Sequence, residues 1–154
     1  MAVLVNGITP VDVEIEGCLF LGNYAHQYGA GVFTLLNGIS NHTITVSQSK
    51  FRNNVTPGTA GGLEIGFLEG GTHQVLVYGC EFVGNRAQYG GGAYLFPVAL
   101  FRRSRMGEFG HLARFERCRF HRNMASEVGA AFAVTLRSPL QYRETFNPVE
   151  FVDW

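Results

Sequence analysis

The chain has 154 residues, 46% hydrophobic and only 16% charged, with a formal net charge of zero at neutral pH. That is enough chain for one domain with a core; it excludes a disordered segment, and the neutral balance argues against a general nucleic-acid binder. Twenty glycines, nearly twice the usual ~7% share, argue against a helical bundle, because each interior Gly weakens a helix by about 1 kcal/mol. No apolar run reaches the ~18 residues of a membrane helix, so no membrane insertion is expected of this segment. Cys18, Cys80 and Cys118 are too few for a disulfide scaffold, and buried inert thiols are expected.

Taken in chain order, the elements repeat. Val13 and Ile15 alternate as in a strand, then come Cys18-Leu-Phe20, Asn23, Ala25, the small triplet Gly29-Ala-Gly31 and the apolar Val32. The second unit runs Ile44, Val46, Ser49-Lys-Phe51, Asn54, Thr56, Ala60-Gly-Gly62, Leu63. The third runs Val75, Val77, Cys80-Glu-Phe82, Asn85, Ala87, Gly91-Gly-Ala93, Tyr94. The fourth runs Ala113, Phe115, Cys118-Arg-Phe120, Asn123, Ala125, Gly129-Ala-Ala131, Phe132. Successive Phe anchors lie 31, 31 and 38 residues apart. A fifth unit opens at Val149-Glu-Phe151, and Asn6-Gly-Ile8 matches Asn37-Gly-Ile39, so residues 1–154 read as one segment of a longer array.

A unit of short β segments cannot bury its own apolar face; stacking the units does, and places equivalent residues one strand spacing apart, about 4.8 Å. The predicted fold is all-β: a right-handed parallel β-helix, a single-stranded solenoid of four to five coils of about 31 residues. Phe20, Phe51, Phe82 and Phe120 should form an internal aromatic stack. Cys18, Ser49, Cys80 and Cys118 should form a small inward column. Asn23, Asn54, Asn85 and Asn123 should form a corner ladder, each amide bonding the next.

The marks F-x-x-N (Phe20-Leu-Gly-Asn23, Phe51-Arg-Asn-Asn54, Phe82-Val-Gly-Asn85, Phe120-His-Arg-Asn123) and G-G-A plus an apolar residue (Gly91-Gly-Ala-Tyr94) resemble the polymorphic outer membrane protein repeat. The resemblance covers nearly the whole chain. It implies a slice of the β-helical passenger of a surface protein, extracellular or on the cell surface, acting as an adhesin or surface structure. It supplies no catalytic residues.

Parallel β-helix enzymes of the pectin lyase-like kind cut polysaccharides with acids and bases on one outer face. The outward columns here are Glu14, Thr45, Leu76, Arg114, Glu150 and Glu16, Ser47, Tyr78, Glu116, Val152. The best catalytic candidates of a polysaccharide-binding or -cleaving module are therefore Glu116 and Glu150 with Arg114 beside them. A solvated guard of the sheet face is the simpler reading, and a non-enzymatic segment is favoured. His42, His73 and His111 fall two residues before successive strands and could align. Without C-x-x-C or paired His, no metal and no cofactor are expected. Residues 102–122 hold seven Arg against two Glu, and Arg102, Arg103 and Arg105 in the lengthened third unit form the predicted ligand-binding loop. The loops at 36–42, 67–73, 97–111 and 137–148 should leave one corner and form one face. Asn41-His-Thr43 is a glycosylation pattern in such a loop; Asn54-Val-Thr56 is discounted because Asn54 belongs to the ladder. Expected partners are flanking coils of the same parent chain, glycans or a cell-surface protein.

Overall fold

A computed structural model describes residues 1–68, 71–97, 112–134 and 150–152. Among these residues there is no helix; sixteen short strands form parallel sheets. In chain order they are β1 (Ala2–Asn6), β2 (Asp12–Glu16), β3 (Leu19–Leu21), β4 (Val32–Asn37), β5 (Thr43–Ser47), β6 (Lys50–Arg52), β7 (Leu63–Phe67), β8 (Gln74–Tyr78) and β9 (Glu81–Val83). There follow β10 (Arg86–Tyr89), β11 (Ala93–Pro97), β12 (Leu112–Glu116), β13 (Arg119–His121), β14 (Met124–Val128), β15 (Phe132–Val134) and β16 (Glu150–Val152).

Neighbours within a sheet come from successive repeats. The first sheet orders β1-β4-β7-β11-β15, the second β2-β5-β8-β12-β16 and the third β3-β6-β9-β13. A fourth wall joins β10 to β14 and continues through the bridges Tyr24 to Val55, Val55 to Arg86 and Tyr28 to Thr59. The register follows the repeat: Ile44 lies beside Val13 and Val75, and Val75 lies beside Ala113 across the longer third unit. This is an arrangement of the β-solenoid type.

Period-2 alternation sets what is buried. Inward residues Val32, Leu36, Ile44, Val46, Leu63, Ile65, Val75, Val77, Leu95 and Phe115 join the Phe column in one core. Phe20, Phe51, Phe82 and Phe120 stack with ring centroids 4.9, 4.7 and 4.6 Å apart, the spacing that in-register strands impose. The small triplets admit this close approach. A Cβ on Gly62 would sit 2.3 Å from the Gly92 carbonyl oxygen and 2.9 Å from the Phe82 ring.

Between walls the backbone turns, and some amides meet side chains rather than the next repeat's carbonyls. Three columns supply the acceptor. The Cys18 amide donates to Ser49 Oγ (3.1 Å), the Val11 amide to His42 Nδ1 (3.2 Å) and the Asn23 amide to Asn54 Oδ1 (3.0 Å). Each acceptor stands one repeat beyond its donor at the equivalent position. A backbone donor that would otherwise be orphaned at a corner is thereby satisfied.

Two sequence expectations need correction. Tyr94 does not continue the column of Val32 and Leu63; Ala93 does, and Tyr94 faces outward beside Glu64. The fourth wall of the third repeat is one residue shorter than that of the second, with an irregularity between Ala87 and Tyr89, so the triplet aligning with Ala60-Gly61-Gly62 is Gly90-Gly91-Gly92. Cys18 is exposed rather than buried, because it stands in the first repeat at the edge of the stack.

Candidate functional site

The outer face of the second sheet holds the acids weighed as catalytic. Arg114 lies in register with Leu76 and Glu150, and Glu116 with Tyr78 and Val152, as the columns required. Arg114 Nη2 contacts Glu116 Oε1 at 2.5 Å, and both side chains are half-exposed. A carboxylate held by a guanidinium two residues away on its own strand is occupied in an ion pair rather than poised over a substrate. For Glu150 the backbone register is what places it here. Glu14 and Glu16 stand exposed on β2, two repeats from Arg114 and Glu116.

The regular polar columns face inward. Asn54 and Asn85 are fully buried, and Asn23 and Asn123 end the ladder. Asn54 Nδ2 donates to Asn85 Oδ1 (2.9 Å) and to the Phe20 carbonyl (2.9 Å), while its Oδ1 accepts the amide and the Nδ2 of Asn23. Asn85 repeats this set with Asn123, Phe51 and Asn54. His42 and His73 are fully buried and stack at 5.0 Å, with the His42 amide directed at His73 Nδ1 (3.4 Å). Among the described residues no group of three His, Cys, Asp or Glu could hold a metal. Cys80 and Cys118 are free and buried; the neighbouring Cys118 thiol and burial both push the Cys80 thiol up. Asn41 is exposed, with Oδ1 accepting the Thr72 amide at 2.8 Å. Arg102, Arg103, Arg105 and His111, with the loops at 98–111 and 137–148, lie outside the described residues.

Sequence reasoning missed Glu64. It occupies an outward position of β7, where a solvated charge is ordinary, yet it is fully buried. Its cross-strand neighbours are Phe33 and Tyr94, which join Tyr28 and Tyr89 in ring contacts over this wall. Oε2 accepts the Gly29 amide (2.7 Å) and the Thr59 hydroxyl (2.8 Å), bracing the corner of the preceding repeat. Oε1 has no hydrogen-bond partner. Desolvation raises the Glu64 pKa to about 7, against the two hydrogen bonds. The signal was in the columns: at repeat spacing, Glu64 falls between Phe33 and Tyr94.

A carboxyl whose pKa is raised on folding favours the native state in its protonated form. Stability should therefore be greatest below about pH 4.5, fall as pH rises toward 7, and level off above, a loss of roughly 3 kcal/mol. Urea melts of the wild type and Glu64→Gln at pH 5 and pH 8 check this. The difference between the two proteins should change by that amount, with the variant relatively more stable at pH 8. A difference independent of pH would contradict it.

The third sheet carries charge outward. Arg52 Nη2 bonds Glu81 Oε2 at 2.7 Å and holds that carboxyl below its ordinary range. In the fourth repeat Arg117, Arg119, His121 and Arg122 are all exposed on or beside β13. Comparison of the chain with family models, with curated proteins and with solved structures gives no match.

Proposed function

We propose that the chain is part of a right-handed parallel β-helix of four to five coils, one continuous segment over residues 1–154. In this reading it serves as a non-enzymatic structural and adhesive segment of an extracellular or cell-surface protein. The observation that carries the reading is where the polar chemistry goes. The Asn ladder is directed along the stack and joins one repeat to the next. Residues arranged that way hold a rod together and leave the outer walls and loops to make contacts. The resemblance of F-x-x-N and G-G-A to the polymorphic outer membrane protein repeat supports the same assignment. Partners in this reading are glycans or a cell-surface protein, with flanking coils of the parent chain continuing the stack. Arg102, Arg103 and Arg105 are candidates for contact on the loop face.

Incubation of the purified chain with neutral and acidic polysaccharides, followed by measurement of new reducing ends and unsaturated uronates, tests the non-enzymatic part. No product is expected. Product that disappears in Glu116→Gln or Glu150→Gln would overturn the reading in favour of a carbohydrate-cleaving β-helix. Adhesion of the chain to polysaccharide-coated surfaces, without turnover, is the accompanying positive result.

A further inference from the structure

Each repeat turns a corner before and after the third-sheet strand, with left-handed backbone at both. Before the strand the corner residues are Gly17, Gln48, Gly79 and Arg117; after it they are Gly22, Asn53, Gly84 and Arg122. Arg117 has φ +50° and Arg122 φ +53°. Glycine takes this conformation without strain and asparagine tolerates it, whereas arginine does so at a conformational cost. The fourth repeat thus places arginine at both corners where the first and third place glycine. Strain of this kind, held by the surrounding fold, points toward function.

The surroundings concentrate the charge. Arg119 and His121 stand on β13 itself, two residues apart and so about 7 Å along one face. All four side chains are exposed, and residues 117–126 contain no acid. Arg117 Nη1 bonds the Tyr78 hydroxyl at 2.8 Å, with its guanidinium 5.7 Å from that ring's centre, which steadies the cation against the wall. The nearest acid in the column, Glu81, is turned to Arg52 in the repeat before it. Phe120 faces inward in the Phe stack, so β13 itself offers no outward Phe, Tyr or Trp ring on which a base could stack. A rigid straight row of guanidinium forks without such platforms matches a chain bearing carboxylates or sulfates at regular intervals.

We propose that β13 and its two corners, through Arg117, Arg119, His121 and Arg122, form a docking wall for an acidic polysaccharide. This names a ligand class for the surface-segment reading and rests on that reading only for where the contact is made. Binding is a property of the purified chain.

Titration of the purified chain with heparin, polygalacturonate, neutral dextran and oligo-dT at several salt concentrations tests the proposal. Salt-sensitive binding to one or both acidic polysaccharides is expected, with none to dextran. The double variant Arg117→Gly/Arg122→Gly installs the residues the chain itself uses at these corners. It should melt at the same or a higher temperature yet bind at least tenfold more weakly, with a shallower salt dependence. Arg119→Gln, at an ordinary strand position, should weaken binding several-fold and carries the test if the double variant misfolds. Lys50→Gln, on the same sheet two repeats away, should stay within twofold. Absence of binding to both acidic polysaccharides would overturn the proposal, as would binding unchanged in the Arg117, Arg119 and Arg122 variants. Tighter binding to oligo-dT at matched salt would reassign the wall to nucleic acid. Loss confined to Arg102→Gln/Arg103→Gln/Arg105→Gln would move the site to that loop. Polysaccharide turnover would instead strike the non-enzymatic reading and leave the docking wall standing.

Discussion

Phe82→Ala should lower stability by about 4 kcal/mol, enough to bring a domain of this size close to unfolding at room temperature. The ring is fully buried between Phe51 and Phe120, parallel to both within 5°, and Phe115 packs against it at 6.5 Å. Truncation removes the buried ring and opens a cavity that the neighbours cannot close, because their spacing is fixed by the strands they stand on. Both ring contacts are lost in one substitution. Urea unfolding followed by circular dichroism reads the change as a fall in midpoint. Phe82→Leu keeps most of the volume and should lose less than half as much. Equal losses in the two variants would show that ring stacking and volume at this position do not matter, and would break the argument for the column.

Asn85→Ala should be the other large effect, about 3 kcal/mol or more. It strands the Asn54 amide inside the fold and takes one of two acceptors from Asn54 Nδ2. The Phe51 carbonyl loses the donor that Asn85 Nδ2 provides. Each buried polar group left without a partner costs roughly 1–3 kcal/mol. Asn85→Asp separates hydrogen bonding from packing, since its shape is the same. It can still accept from Asn54, but at neutral pH it presents oxygen to the Phe51 carbonyl and to Asn123 Oδ1. It should therefore be at least as damaging as alanine at pH 7 and recover in part when acid protonates it. An Asp variant as stable as wild type at pH 7 would contradict the bonding assigned to the ladder.

The offsets of 31, 31 and 38 residues were legible because stacking forces equivalent residues to share an environment. Phe, Asn and the strand alternation before them therefore repeat in type. The same logic gave the outer columns of the second sheet, including the neighbours Arg114 and Glu150. Other features were hidden for physical reasons. The one-residue shortening near Ala87 leaves G-G-A intact as a string while moving Tyr94 to the opposite face, since strand side chains alternate. Glu64 reads as a surface charge on its own strand; its burial comes from aromatic residues roughly 30 positions away on either side. Arg117 and Arg122 look like ordinary surface cations until the backbone shows them at corners where other repeats use glycine. Cys18 shares its column's type but not its burial, because type repeats along the chain whereas coverage depends on what lies above and below.

Everything rests on in-register parallel stacking of repeats, and backbone NMR tests it most directly. Inter-strand nuclear Overhauser contacts in the labelled chain should link Thr45 with Leu76 and Leu76 with Arg114, pairs separated by 31 and 38 residues. They should link Phe51 with Phe82 and Phe82 with Phe120 in the same way. Contacts instead joining β5 to β6, or β8 to β9, as sequence-adjacent antiparallel hairpins would contradict the stacked arrangement and every column read from it.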